Sequence, residues 1–440
     1  MLTPSDARFM YDRIHTCPVS TVVGRLELEG EIDPNHIRET FKTQILHARE
    51  PQDGDKLLYP EFGWTVKQFL GFAFYAKAIQ PEDRVRILKD ITIDQLTDVQ
   101  TKLTFQPFEL NEPLWDLVII RMVPDNTPTS VLLFRFHHAL FDGVGMFHLL
   151  TKMITPKSKK LTKEMCTKLV SPIRYLRMPY DFLHTCHEES RAGSFIQDKK
   201  IQTTLGDTFS PSEAASHVRF HISDPIPFSV IRQLGVRHGV SGTAVMHSAI
   251  LGAVRSSFFA HVASSSTTVR VETTLLPPWK RDRLLGNNVT HGRYTAAIGE
   301  VDARKRLIRT HEALRGMKES TFPVTSALIS NALSSLPRPI LKQINKLHEG
   351  HERIFIGNMI GPEEKPKFCG YQSKDVSLMS GFCATYSGII FGIITFGDTM
   401  KIGVFGNRNL LPRSGQAEEI TRAFMQELDD LQIEDCAPIC

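Results

Sequence analysis

The chain has 440 residues, 41% of them apolar and 23% charged, with a net charge of +4. That balance excludes a disordered chain and a surface built for nucleic acid, and the length allows two or three domains able to bury their cores without disulfides or structural metals. Cys17, Cys166, Cys186, Cys369, Cys383, Cys436 and Cys440 form no C-x-x-C pair, which points to reduced thiols in an intracellular setting. In chain order, Pro4–His15 reads as a short helix with Thr3 as its cap and Pro4 at its first position. Thr21–Leu28 reads as a strand, and Asp33 as the cap of a helix carrying Ile37, Phe41, Ile45 and Leu46. Ile93–Leu103 is expected to be helical. Leu117–Val123 and Val131–Phe136 read as paired strands buried on both faces, joined by the turn chemistry of 124–128, and Val144–Ile154 as a helix.

From 156 to 216 the pattern changes. Lysines at Lys157, Lys159, Lys160, Lys163 and Lys168 and the lack of long apolar runs predict a connecting segment. Beyond it come a strand (Val218–Ile222), two helices (Phe228–His238, Thr243–His261), a strand (Thr268–Leu275) and a helix (Asp302–Met317). Strands at Ile354–Met359, Phe382–Ile390, Gly392–Phe396 and Ile402–Phe405 follow, and Gln416–Leu431 closes the chain as an amphipathic helix. Helices and strands on both sides of the segment predict an α/β chain in two domains, 1–155 and 217–440.

The segment that carries chemistry is His137-His138-Ala139-Leu140-Phe141-Asp142-Gly143, where a strand ends and a helix begins. Adjacent histidines at a strand end point opposite ways, so one can serve a reaction while the other turns into the fold. A histidine titrates near neutrality, as a general base must. Asp142 can turn back to shape the loop or pair with an arginine, and Gly143 permits a conformation or a close approach that a side chain would forbid. No serine or cysteine stands beside the pair as a nucleophile, which favours direct attack by a second substrate. A metal half-site completed by His148, or plain turn chemistry, are the alternatives.

The heptapeptide resembles the HHxxxDG signature of the acyltransferase superfamily that includes chloramphenicol acetyltransferase, the plant BAHD enzymes and peptide-synthetase condensation domains. Further segments narrow the resemblance to the bacterial-type wax ester synthase/diacylglycerol acyltransferases. Leu2-Thr3-Pro4-Ser5-Asp6-Ala7 is similar to their LSPxDA opening, Pro113-Leu114-Trp115 to PLW, and Leu285-Gly286-Asn287 to LGN. Gly357-Asn358-Met359-Ile360-Gly361-Pro362 is similar to SNVPGP, and 405–412 to the segment before the last helix. The matches fall in family order over nearly the whole chain. Where the family has Asn-Asp, this chain has Thr243 and Ala244.

The resemblance implies two chloramphenicol-acetyltransferase-like domains with a tunnel between them. It implies an enzyme that moves a fatty acyl group from acyl-CoA, a co-substrate, to a long-chain alcohol or diacylglycerol, with no cofactor and no metal. His138 would be the general base, His137 supporting, and Asp142 would hold the loop by pairing with an arginine, Arg408 being a candidate. Asn287 and Thr243 are candidate substrate contacts; Trp115 reads first as core packing and second as tunnel lining. The alternatives are a short alcohol, secondary metabolite or amine as acceptor, or a non-catalytic lipid- or CoA-binding relative.

With no signal-peptide pattern and no apolar run near the roughly 20 residues of a bilayer span, a cytoplasmic protein is expected, any membrane or lipid-droplet contact being peripheral. The lysines of the connecting segment read as a solvated linker, or as partners of CoA phosphates or of an anionic membrane surface. The cluster Tyr175, Leu176, Met178, Tyr180 and Phe182 reads as a lipid contact or as a clamp onto a domain, and His148, His247 and His261 as ordinary helix residues.

Overall fold

The computed structural model describes residues 2–79, 81–122, 129–155, 172–193, 209–260, 267–279, 283–348 and 353–433. The turn at 124–128, the connecting-segment lysines, His261, Cys166, Cys436 and Cys440 lie outside the described residues.

The opening helix is shorter than expected. Helix α1 (Pro4–Ala7), capped by Thr3, gives way to a 3-10 turn over Arg8–Tyr11, and Asp12 is already extended. Its carboxylate is engaged by the main-chain N–H groups of Val19 and Ser20, at 2.8 and 2.5 Å, which a continuing helix would not allow. Then come β1 (Thr21–Glu29), α2 (Pro34–Phe41) with Asp33 as its cap, and an unexpected hairpin of β2 (Trp64–Phe69) and β3 (Phe72–Lys77). Strand β4 (Val85–Ile91) leads to α3 (Ile93–Phe105), which opens with a capping box of Thr92 and Gln95. Next are β5 (Trp115–Met122), β6 (Thr129–His137), α4 (Gly143–Lys152), β7 (Ile154–Thr155), α5 (Met178–Arg191) and α6 (Pro211–His217).

The second half comprises β8 (Val218–Ile222), β9 (Ile226–Pro227), α7 (Phe228–Arg237), α8 (Gly242–Phe258), β10 (Thr268–Leu275) and β11 (Thr290–Ala297). Helices α9 (Ala303–Glu319), α10 (Phe322–Ser334) and α11 (Arg338–His348) follow. Strands β12 (Ile354–Ile360), β13 (Lys367–Phe368), β14 (Tyr371–Ser380), β15 (Ile389–Phe396) and β16 (Thr399–Asn407) precede the closing α12 (Gln416–Ile433).

Two mixed sheets organise these elements. The first has the order β4-β5-β6-β1-β14-β13-β7, the second β11-β10-β12-β15-β16-β8 with β9 beside β16. The first sheet therefore takes β13 and β14 from the far half of the chain: β14 pairs antiparallel with β1, Val22 opposite Ser380 and Leu26 opposite Val376. The expected division into 1–155 and 217–440 misses this exchange. The strand expected at Phe382–Ile390 is displaced for the same reason. Gly381–Ala384 is a tight 3-10 turn capped by Ser380, where the chain leaves the first sheet for the second.

Helices α8 and α12 bury Ile250, Val254, Phe424 and Leu428 against one face of the second sheet, where they meet Val271, Ile354 and Ile356. Strand alternation then sends Phe355, Gly357 and Met359 to the opposite face. The aromatic cluster of the connecting segment divides: Phe182 stacks on Phe322 of α10 at 5.8 Å, and the Asp181 carboxylate accepts from Thr321 N and Oγ1, whereas Leu176 and Tyr180 are exposed. The clamp reading describes Phe182.

Candidate functional site

His137 closes β6 and is fully buried. Its Nδ1 accepts from Ala139 N–H at 3.2 Å, so Nε2 carries the proton and donates to Asp12 Oδ2 at 3.0 Å. Asp12 also ties down Val19 and Ser20, so His137 fixes the strand end to the opening segment.

His138 points the other way. Its main-chain N–H donates to Ser20 O at 2.8 Å, and its ring lies flat on Phe9, centroids 4.0 Å apart, with Phe382 edge-on at 6.1 Å. Nδ1 is 2.9 Å from Asn287 Oδ1. The orientation of that amide follows from its other contacts: Asn287 Nδ2 donates to Asp6 Oδ1 at 2.9 Å and to His138 O at 2.8 Å, both of which only accept. Asn287 Oδ1 must then accept, so Nδ1 of His138 carries the hydrogen and Nε2 keeps its lone pair. Burial pushes the imidazole down to about 4, against a smaller opposing pull from the Asp142 carboxylate. The ring is therefore neutral at physiological pH, with one basic nitrogen and one fixed tautomer.

Asn287 is held from behind. Asp6 is fully buried and also accepts from Asn287 N–H at 2.9 Å; it pairs with Arg283, which reaches Glu61 at 3.2 Å. Gly286 has φ +108°, a conformation that only glycine adopts readily, and it turns the chain so that Asn287 faces His138.

Asp142 is buried, and its two oxygens accept from Gly145 N–H at 3.0 Å and Asn288 N–H at 2.9 Å. One contact closes the first turn of α4; the other ties the reactive loop to the turn that carries Asn287. The guanidinium whose charge acts with Asp142 is Arg8. Arg408, the candidate from the sequence, stands at the far end of β16, where its N–H donates to His217 O at 2.7 Å. Gly143 serves close approach: a Cβ there would lie 3.1 Å from Met359 Sδ, so the loop docks on the second sheet.

The remaining candidates separate from this centre. Trp115 is fully buried, packs on Phe41 and Phe62, and donates Nε1–H to Phe62 O at 2.9 Å, which makes it core and corrects the lining reading. Thr243 is half-buried in the first turn of α8, and no described contact joins it to His138 or Asn287. Ala244 is fully buried in the helix–sheet core. His148 turns to the Tyr59 hydroxyl at 3.0 Å, so it does not complete a ligand set with His137 and His138. His247 turns to the Tyr294 hydroxyl at 2.8 Å. Sequence reasoning missed the roles of Asp6, Phe9, Asp12 and Arg283, although Asp6 stands inside the LTPSDA segment.

Residues 84–180 match a family model described as the wax ester synthase/diacylglycerol acyltransferase catalytic domain, and 285–432 match the WS/DGAT C-terminal domain; together these cover more than half of the chain. Wax ester synthase/diacylglycerol acyltransferase 10 of Arabidopsis thaliana is 26% identical over 157 residues, 34% of this chain and 30% of its own length. The similarly named protein 2 of the same plant is 26% identical over 115 residues, 23% of each chain. The matched stretches thus span less than a third of those relatives. Among solved structures, the wax ester synthase/diacylglycerol acyltransferase from Marinobacter aquaeolei VT8 aligns with a TM-score of 0.60 at 15% identity, covering 99% of this chain and 100% of that one. TRI3 trichothecene 15-O-acetyltransferase from Fusarium sporotrichioides aligns with a TM-score of 0.66 at 11% identity, covering 98% and 95%. At such identities the likeness shows the fold, the mixed α/β class in two parts that the sequence led us to expect.

Proposed function

The chain belongs to the wax ester synthase/diacylglycerol acyltransferase family, and on that premise we propose that it moves a fatty acyl group from acyl-CoA to the hydroxyl of a long-chain alcohol or of diacylglycerol. The observation that carries this reading is the hydrogen bond between His138 Nδ1 and Asn287 Oδ1, because it leaves Nε2 as a neutral, oriented base.

In the proposed step the acceptor hydroxyl donates its proton to His138 Nε2 as its oxygen attacks the thioester carbonyl. A carbon–oxygen bond forms and a tetrahedral oxyanion results. Its collapse breaks the carbon–sulfur bond, and the CoA thiolate takes the proton back from Nε2. No covalent enzyme intermediate is needed, in keeping with a sequence that sets no serine or cysteine next to the pair. Asn287 is a positioning residue: it holds the tautomer and meets the positive charge that forms on the ring with an oxygen dipole. Phe9 restricts rotation of the ring.

The test follows CoA release from palmitoyl-CoA with hexadecanol or diacylglycerol as acceptor. No release with any acceptor alcohol overturns the reading. Among the described residues no helix is long and apolar enough to cross a membrane. Contact with a lipid surface, which water-insoluble substrates would require, is in this reading peripheral.

The pH dependence follows from the buried ring. With His138 pushed down to about 4, the base is unprotonated throughout the working range. The acid limb of kcat/KM in the free enzyme is therefore expected well below pH 6, and the profile from pH 8 to about 5.5 should be flat. A limb near pH 6.5 would show that the base is a solvated histidine instead. Stability shares the sign: the unfolded chain takes up the proton near pH 6.5 and the folded one near 4. This contribution is complete above pH 6.5 and is lost as the pH falls through 4.

A further inference from the structure

The hairpin of β2 and β3 belongs to neither of the two mixed sheets, and its two faces differ. Register sets Val66 opposite Tyr75 and Gln68 opposite Ala73 on one face, and Lys67 opposite Phe74 and Phe69 opposite Phe72 on the other. The first face packs inward. Val66, Ala73 and Tyr75 join the hydrophobic core that holds Phe136 and Phe141. Leu2 N–H donates to Ala73 O at 3.2 Å, and the Tyr75 hydroxyl donates to Ala139 O at 2.8 Å, inside the reactive loop. The second face turns outward: Phe69 is 66% exposed, and Phe72 and Phe74 are half-buried.

At the tip, Leu70 and Gly71 have φ of 49° and 80°, the two positive values that a two-residue type I′ turn requires. Glycine and asparagine adopt that conformation readily and leucine does not. Leu70 is also 78% exposed, so its side chain gains no packing in return. Backbone and side chain are thus both unfavourable for the isolated fold, and an asparagine would relieve both.

The tip is firmly seated. Gly71 O accepts from Arg338 N–H at 2.7 Å, Gln68 Oε1 accepts from Arg338 Nη1 at 3.0 Å, and a Cβ on Gly71 would lie 3.0 Å from Pro339 Cδ. The turn therefore rests on the start of α11, where Ile340 is 51% exposed. Charge in these two stretches has one sign. Residues 64–79 contain Lys67 and Lys77, residues 337–348 contain Arg338, Lys342 and Lys346, and neither stretch contains an acidic residue.

We propose that the outward face of the hairpin, its Leu70 tip and the Ile340 end of α11 form a docking surface for an anionic phospholipid membrane. Phe69 and Leu70 enter the headgroup region, and the basic residues meet lipid phosphates. Three features select a lipid surface over a protein. The apolar side chains stand out from a turn and do not line a groove. Self-association through this face would set one cationic patch against its own copy. A water-insoluble acceptor such as diacylglycerol has to be met at a lipid surface. The last point rests on the acyl-transfer reading, and the inference deepens that reading by naming where the surface is met. Tyr75, about 14 Å along β3 from the turn at roughly 3.4 Å per residue, holds the main chain of the reactive loop, so the docking face and that loop share one hairpin.

The test is co-sedimentation of the full chain with phosphatidylcholine vesicles, with and without phosphatidylglycerol, beside the assay of CoA release. Binding is measured without substrate, so a chain that docks yet releases no CoA fails the acyl-transfer reading alone, and one that releases CoA yet does not dock fails this one. Wild type is expected to bind the vesicles containing phosphatidylglycerol, and to bind them more weakly at high salt. The double variant Phe69→Ser/Leu70→Ser should bind about tenfold or more weakly, the range for exposing two apolar side chains. Val236→Ser, at a comparably exposed apolar position on α7, should bind like wild type. Leu70→Asn separates docking from folding: its Tm should rise, because asparagine suits the turn, while its vesicle binding falls. Absence of binding in wild type, equal binding by wild type and the double variant, or a matching loss in Val236→Ser overturns the proposal. So does a wild-type dimer that the double variant dissociates, which would give the face to a second copy of the chain.

Discussion

His138→Ala is expected to lower the rate of CoA release by about 10² to 10⁴-fold, the usual contribution of a positioned general base, while the protein stays folded. The fold should survive because the variant keeps the contacts that organise the loop. The main-chain carbonyl of residue 138 still accepts from Asn287 Nδ2, Asp6 still holds Asn287, and His137 still ties the strand end to Asp12. What is lost is the stack on Phe9 and one partner of the Asn287 amide, a cost of about 1 to 2 kcal/mol. A Tm within several degrees of wild type and an empty assay make the expected pair of results. Turnover near the wild-type rate in a folded variant would remove His138 from the mechanism.

Asp142→Ala should act on stability as well as rate. The carboxylate is buried, and its loss leaves two main-chain N–H groups, of Gly145 and Asn288, without their acceptor and removes one of the two carboxylates, Asp142 and Asp6, whose charge acts on the Arg8 guanidinium. Breaking such a buried charged contact costs about 3 kcal/mol. Asn288 neighbours the residue that sets the His138 tautomer, so the rate should fall too. Asp142→Asn keeps one acceptor oxygen and should recover part of the stability. Thermal melts of the two variants decide the matter. An alanine variant that melts like wild type yet releases no CoA would show that Asp142 acts on the reaction and does not hold the loop.

Much of the fold was legible where periodicity and capping agree. Strands β8 and β10 lie where their β-branched and apolar runs place them, and α2 and α9 begin at the caps Asp33 and Asp302. The hairpin of β2 and β3 was hidden by its turn. Leu70 and Gly71 both have positive φ, at 49° and 80°, a conformation usually announced by Asn-Gly rather than Leu-Gly. Strand β14 was hidden by its polarity, since Gln372, Ser373, Lys374 and Asp375 form no apolar run. Lys374 and Asp375 are only half-buried, with Asp375 pairing Lys401, so the strand has no apolar run to betray it. The apolar run that drew the reading to Phe382–Ile390 belongs to a turn and the strand beyond it.

At the site, the motif located His137, His138 and Asp142, because their spacing is local. What orients them is not local. Asp6 reaches Asn287 across 281 positions, and Asp12 reaches His137 across 125. No periodicity links residues that far apart, so Asn287 read as a candidate substrate contact and Phe9 did not stand out at all.

The pairing of β1 with β14 has a consequence for the order in which the protein is made. Strand β6, with the reactive histidines at its end, can join β1 as soon as both leave the ribosome. The other edge of β1 waits for residues 371–380, after most of the remaining chain. Until then the nascent first sheet offers an open edge, the kind of surface on which unfinished chains cling to one another. The chain is accordingly indivisible in a practical sense. A fragment ending before β14 cannot close the sheet that carries the histidines, and a gene split in the connecting segment yields two pieces of which neither is a domain.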